Sequence, residues 1–296
     1  MIDLTKLVTE TRNPNTMDLD QMTPLELVSV MNQEDLNVVA GVKEVLPQVA
    51  QAIEWAVSSL EAGGRIVYFG AGTSGRLGVL DAVECPPTFG VSPDVVVGLI
   101  AGGEKAFVRA VEGAEDSLEL CEEELKKIGL NKNDIAIGIA ASGRTPYVIG
   151  GLRYARSLGC KTVAIACNKG SEVGKEADLA IEPSSGPEVL TGSTRLKSGT
   201  AQKMILNMIS TGSMVGVGKA YQNLMVDVQQ TNKKLVVRAQ NITMAATGCT
   251  REEAAQVLEQ ADGNAKLAIV MLLTQMPVEE AKAKLEAAHG HVRGAL

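Results

Sequence analysis

Short, continuously apolar runs alternate with stretches of helical spacing through the middle of this chain. IVYF at 66–69, VVVGLI at 95–100, IAIGI at 135–139 and TVAIA at 162–166 are four such runs, and LAI at 179–181 is a weaker fifth. Such runs present no polar face to water, so they predict strands buried on both sides. Strands of that kind, separated by helices and joined by right-handed crossovers, predict a doubly wound α/β fold on a five-stranded parallel sheet.

The flanks read differently. Residues 1–20 are polar and show no periodicity. Thr23-Pro24-Leu25-Glu26 then predicts a helix start, with Thr as N-cap, Pro at the first helical position and Glu closing a capping box. Helical spacing continues, with breaks, to Gly63-Gly64. From Thr200 onward the text is helical, with a second capping box at Thr250–Glu253 and punctuation at Gly248, Gly263 and Pro277. These divisions predict an N-terminal helical segment (1–54), an α/β domain (55–218) and a helical region (219–296) that ends in a small helical module. The last 55 or so residues have a ubiquitin-associated-domain flavour and are expected to serve packing or dimerisation.

Composition narrows the function. Of 296 residues, 45% are apolar, enough for a continuous core. Acids outnumber bases, 35 to 28, which argues against a nucleic-acid partner. The longest apolar runs fall short of the ~20 residues that span a bilayer, and the N-terminus lacks the pattern of a secretory signal, so no membrane partner is expected. Five unpatterned cysteines fit reduced thiols in the cytoplasm. The two histidines, His289 and His291, lie at the very end, so no metal site is expected and acid/base chemistry falls to carboxylates.

Two loops follow strand runs directly and carry hydroxyls where helices begin: Thr73, Ser74 and Gly75 after the first run, and Ser142, Gly143, Arg144 and Thr145 after the third. Open helix N-termini with hydroxyls suit a phosphate monoester. The first loop is neither a dinucleotide fingerprint nor a Walker A loop. A third stretch, 184–200, crowds Glu188, Ser193, Thr194, Arg195 and Lys197 together; its cations suit a second anionic group on the ligand. Among the carboxylates, Glu84 stands before a Cys85-Pro86-Pro87 helix stop, and Glu115 lies in the helical region after the second strand. Glu112, Asp116 and Glu188 compete with Glu115, and periodicity does not choose between them.

These loops resemble the sugar isomerase (SIS) domain of phosphosugar isomerases and sugar-phosphate-sensing regulators, whose topology is flavodoxin-like. Longer strings, TETRNPN (9–15), FGAGTSGRLGVLDAVECPPTF (69–89), GGEKAFVRAVEGAED (102–116), ASGRTPYV (141–148) and GPEVLTGSTRLKSGTAQK (186–203), are similar to the N-acetylmuramic acid 6-phosphate etherase family over nearly the whole chain. Lys169, where that family commonly has proline, and Leu196 and Ser198, where it has Met and Ala, depart from the pattern. The resemblance implies a cytoplasmic, cofactor-free homodimeric lyase that removes D-lactate from the 6-phosphorylated sugar in cell-wall recycling. It implies Glu84 as proton donor, Glu115 as the second acid/base, and Ser74, Ser142 and Thr145 as phosphate-holding hydroxyls. An aldose–ketose isomerase and a non-catalytic sugar-phosphate sensor are the alternatives on the same fold. Because no cluster of His, Cys and carboxylates at ligand spacing appears before residue 289, turnover is expected to be unchanged in EDTA; loss of activity on chelation, restored by one divalent ion, would overturn this.

Overall fold

The computed structural model describes residues 7–109, 111–228 and 233–296. They cluster into two compact units: the described residues up to Val83 together with Asp94–Ser210, and Glu84–Pro93 together with Thr211–Leu296.

The first unit opens with three short 3-10 turns. Helices α1 (Pro24–Glu44) and α2 (Leu46–Glu61) follow, the first with its capping box formed as expected between Thr23 and Glu26. Then come β1 (Ile66–Gly70), α3 (Gly72–Phe89), β2 (Val96–Ile100), α4 (Glu104–Val108), α5 (Leu120–Lys127) and β3 (Ile135–Ile139). The alternation continues through α6 (Pro146–Ser157), β4 (Lys161–Ile165), α7 (Glu172–Glu176), β5 (Leu179–Ile181) and α8 (Lys197–Gly216). The five strands form one parallel sheet in the order β2-β1-β3-β4-β5, the flavodoxin-like order. β1 and β3 are buried along their whole length, as apolar strands between two helical layers must be. Val67 and Phe69 pack with Leu125, Tyr147 and Leu152 on one face of the sheet.

Several local expectations need correction. The helix after the first loop does not stop at Cys85; α3 runs through Pro86 and Pro87 to Phe89. Two prolines withdraw two backbone donors, so the carbonyls of Ala82 and Val83 lose their helical partners although the helix continues. Residues 111–119 are turns rather than helix, which places Glu115 in a turn between α4 and α5. The last long helix begins at Lys197, inside the stretch read as a loop. The polar N-terminal segment is also built in: Thr9, Asn13 and Thr16 are buried. Thr16 Oγ1 donates to the Val189 carbonyl at 2.9 Å, and Asn13 Nδ2 to the Pro187 carbonyl at 3.2 Å.

Polar pins of this kind converge on the start of α8. The buried Glu188 carboxylate accepts the backbone N–H of Lys197 and of Ser198, each at 2.9 Å, and the Ser198 hydroxyl at 2.8 Å. It thereby caps the helix and neutralises its positive end. The Lys197 ammonium, fully buried, donates to Glu34 of α1 at 2.7 Å. Glu34 also accepts from Asn13 and Asn15, each at 2.8 Å. Burial pushes the Glu34 carboxyl up, but the hydrogen bonds from Lys197, Asn15 and Asn13 and the ammonium charge outweigh it and hold it down to about 2.

The second unit holds a two-residue-per-strand hairpin, β6 (Ala220–Tyr221) and β7 (Leu224–Met225), which the helical reading of this region did not anticipate. Helices α9 (Lys233–Thr247), α10 (Arg251–Gln260), α11 (Ala265–Thr274), α12 (Val278–Ala287) and α13 (Val292–Ala295) follow. The second capping box forms between Thr250 and Glu253. Val226, Ile242, Leu258, Ile269 and Leu285 share one core. Lys266 crosses into it to pair with Asp227 at 2.6 Å.

A carboxyl lowered on folding stabilises above its unfolded value, and that contribution fades as pH falls towards the folded one. Glu34 should therefore contribute fully above pH ~4.5 and progressively less down to pH ~2, about 3 kcal/mol in all. Glu34→Gln is expected to lower unfolding free energy at pH 7 by about that amount, with the gap to the parent chain closing towards pH 2. Urea titrations at several pH values check this; a gap independent of pH would refute it.

Candidate active site at the carboxyl edge of the sheet

β1 and β3 lie side by side with Gly70 opposite Ile139, so the segments leaving them emerge together at the carboxyl edge of the sheet. The strand order reverses between these two strands, the place where open α/β sheets take ligands. Both hydroxyl loops identified from the sequence start here.

The first loop enters α3 with little room to spare. A Cβ at Gly75 would overlap the Gly70 carbonyl oxygen, so only glycine lets the helix start so close to the strand end. No hydrogen bond partner is found for the backbone N–H groups of Gly72, Thr73 and Ser74 among the described residues. They remain available, with the helix dipole behind them, to an anion. Gly143 in the second loop has φ +78°, the left-handed region, and an added Cβ there would overlap Ser171. The Ser142 hydroxyl makes no hydrogen bond among the described residues, while its carbonyl accepts from Asn168 Nδ2 at 3.1 Å. Asn168 in turn holds Thr9 Oγ1 at 3.0 Å, which fixes the loop against the N-terminal turn.

Thr145 is buried and donates to Glu115 Oε1 at 3.1 Å, and the Tyr147 N–H donates to the Glu115 carbonyl at 3.1 Å. These two bonds tie the turn of 111–119 to the start of α6. The Thr145 bond distinguishes Glu115 from Glu112 and Asp116, a difference the sequence does not show. Its carboxylate is exposed at the mouth of the second loop. Arg144 pairs with Glu172 of α7 at 3.3 Å and stays half-buried.

The start of α8 packs beside the first loop. A Cβ at Gly199 would lie 3.6 Å from Thr73 Cγ2, an ordinary contact, and Cys167 Sγ meets the Ser198 carbonyl at 3.7 Å. Two polar rungs join α3 to α8: Ser74 Oγ to Gln202 Oε1 at 2.9 Å, and Asp81 Oδ1 with Asn207 Nδ2 at 2.8 Å and Ser210 Oγ at 3.0 Å. Burial raises the Asp81 carboxyl, against hydrogen bonds from Asn207, Ser210 and Tyr68. Sequence reasoning missed Gln202 altogether; its signal was a polar residue on a helix face otherwise made of Ala201, Ile205 and Leu206, all of them buried.

The third stretch divides. Ser193, Thr194 and Arg195 remain accessible, and Arg195 makes no ion pair among the described residues. Glu188 and Lys197 are instead buried in the helix cap and the Glu34 pair, so their groups face protein rather than an open loop. Ser198, one of the departures from the family pattern, supplies the extra hydroxyl on Glu188. Glu84 lies farther along α3, exposed, within the second unit, and makes no hydrogen bond among the described residues. A cavity of about 570 Å3 beside β2, lined by Leu99, Ile100, Phe107 and Ile128, carries none of the loop hydroxyls. The arrangement at the sheet edge suits a phosphate on two loops with one carboxylate beside it.

Two family models match the chain: the glucokinase regulatory protein N-terminal SIS domain over residues 48–156 and the SIS domain over 123–211. The N-acetylmuramic acid 6-phosphate etherase of Cronobacter sakazakii is 60% identical over 295 residues, covering 100% of this chain and 99% of its own. That of Pectobacterium atrosepticum is 59% identical, covering 100% and 97%. A solved phosphoheptose isomerase from Francisella tularensis is 18% identical with a TM-score of 0.48, covering 64% of this chain and 100% of its own.

A hydrogen bond to a charged ligand contributes ~1.5–3 kcal/mol. Ser142→Ala is therefore expected to weaken binding of a sugar 6-phosphate roughly 10- to 100-fold and to leave binding of the unphosphorylated sugar unchanged. Calorimetry on both ligands checks it; equal weakening of the two would count against the loop.

Proposed function

The chain belongs to the N-acetylmuramic acid 6-phosphate etherase family, and from that premise we propose how its loops and carboxylates divide the reaction. It is a carbon–oxygen lyase of a sugar phosphate, cleaving the ether that joins D-lactate to C3 and leaving N-acetylglucosamine 6-phosphate. The observation that carries this is identity of 60% along the entire chain rather than at isolated motifs.

An unactivated ether resists water at neutral pH, but C3 is β to the aldehyde of the ring-opened sugar. Removal of the C2 proton expels lactate by breaking the C3–O bond, and the electron pair becomes the C2–C3 double bond of a conjugated enal. Water then adds at C3 and a proton returns to C2. The scheme needs an acid, a base and a grip on a non-reacting part of the substrate.

The N–H groups of residues 72–74 and the hydroxyls of Thr73, Ser74 and Ser142 take the 6-phosphate, with Gly75 and Gly143 keeping the backbone close and Arg144 at the rim, while Thr145, its proton on Glu115, orients that carboxylate beside them. Their common position beyond β1 and β3 supports this. Arg195, with Ser193 and Thr194, faces the lactyl carboxylate; its guanidinium, which makes no ion pair among the described residues, is the support. Glu188 and Lys197 act from behind, by holding that stretch in place. Glu115 is the acid/base that activates the incoming water, supported by its hydrogen bond to Thr145. Glu84 protonates departing lactate, supported by the family resemblance alone. The chain works as a homodimer in the cytoplasm, again on that resemblance; the exposed apolar side chains of Val108 and Phe107 offer surface for a partner copy.

The isotopes of the reaction test the scheme. Product formed in heavy-oxygen water should carry the label at C3, while lactate keeps the original ether oxygen. Glu84→Ala should exchange the C2 hydrogen of unreacted substrate with deuterium yet release lactate at least ~100-fold more slowly, the usual weight of one proton transfer. Label in the lactate hydroxyl would mean cleavage on the other side of the oxygen and would end the elimination scheme.

A further inference from the structure

Gln202 is fully buried beside the first loop, and the mechanism above does not use it. Its Oε1 accepts the Ser74 hydroxyl proton at 2.9 Å. Its Nε2, also buried, has no hydrogen bond partner among the described residues. A primary amide carries two N–H donors, and buried donors without acceptors are rare in folded proteins.

The same bond sets the polarity of Ser74. With its single proton given to Gln202, Ser74 can only accept, yet a phosphate dianion also only accepts. Ser74 in this arrangement repels the ligand it is placed to hold. A half-turn of the Gln202 amide reverses the polarity: Nε2 donates to Ser74 Oγ, and the hydroxyl proton turns outward to the phosphate. The two heteroatoms of an amide stand only about 2.3 Å apart, so the turn needs no backbone movement. It also gives one of the two orphaned N–H groups an acceptor and leaves a carbonyl oxygen unpaired in exchange, which buried sites tolerate better.

Nothing else at the start of α8 competes for this role. The N–H groups of Lys197 and Ser198 go to Glu188, that of Gly199 to the Thr194 carbonyl and that of Thr200 to Leu196. The helix start offers the ligand no backbone donor; it acts through the Gln202 side chain.

We propose that Gln202 is a positioning residue for the substrate phosphate, whose amide turns over on binding so that Nε2 holds Ser74 Oγ and the Ser74 proton points at the ligand. The proposal rests on the reading of residues 72–75 as a phosphate loop. It makes Ser74 and Gln202 one functional unit, so their losses must not multiply.

The test is calorimetric binding of N-acetylglucosamine 6-phosphate to the parent chain, Ser74→Ala, Gln202→Met and the double variant, with melting temperatures alongside. Gln202→Met is expected to bind several-fold more weakly, Ser74→Ala roughly tenfold, and the double variant no more weakly than Ser74→Ala. Gln202→Glu keeps the shape of the side chain, can only accept, and sets a carboxylate beside the phosphate. It is expected to bind at least about tenfold more weakly with its melting temperature near the parent's, and it decides the matter if the methionine variant does not fold. Unchanged binding in the Gln202 variants, or penalties that multiply in the double variant, overturns the proposal and leaves the loop intact. Unchanged binding in Ser74→Ala overturns the loop reading itself.

Discussion

Lys197 begins α8 with its backbone N–H on one buried carboxylate and its ammonium on another. Glu188 takes the helix end, and Glu34 takes the charge at 2.7 Å. The constraint is strict, because a buried ion left without its partner is far costlier than the pair is favourable. Satisfying it forces α1, the N-terminal turns, the 184–196 stretch and α8 to meet at one point. Asn13 and Asn15 add two further donors to Glu34. The place of Gln202 against Ser74, and of Gly199 against Thr73, follows from where α8 is made to begin.

Two kinds of physics therefore build the two loops at the sheet edge. The sheet supplies direction: parallel strands β1 and β3 deliver both loops to the same edge, and glycines at 75 and 143 permit close approach and a left-handed turn. The polar network supplies orientation, since Asn168, Glu115 and Gln202 each hold one loop group by a hydrogen bond. Apolar packing is too non-directional to set the heading of a hydroxyl proton; hydrogen bonds alone can.

The sheet was legible in the sequence because a strand buried on both faces is a continuous apolar run, a signal carried by neighbouring residues. All five runs became strands, and both capping boxes formed, for the same local reason. What escaped was non-local. Glu34 reads as one more solvated acid on an amphipathic helix, and Lys197 as a loop cation, until the fold brings them together. Asn13 and Thr16 sit in a segment without periodicity because their partners are carbonyls of residues 187 and 189 rather than their own neighbours. The Pro86-Pro87 pair misled in the opposite direction: its local signal to stop is strong, and α3 overrides it. What sets Glu115 apart from Glu112 and Asp116 is equally non-local: a hydrogen bond from Thr145, 30 positions away.

The Lys197–Glu34 pair spans 163 positions of sequence. During synthesis at ~5–20 residues per second, Glu34 is made roughly 8 to 33 s before its counter-ion. Through that interval the nascent chain can complete β1 to β5, whose pairings depend only on residues already made, while the loop edge stays open and α1 waits with a hydrated carboxylate. Completion of the loop edge is thus deferred to a late step of translation, since its last polar partners arrive only with α8.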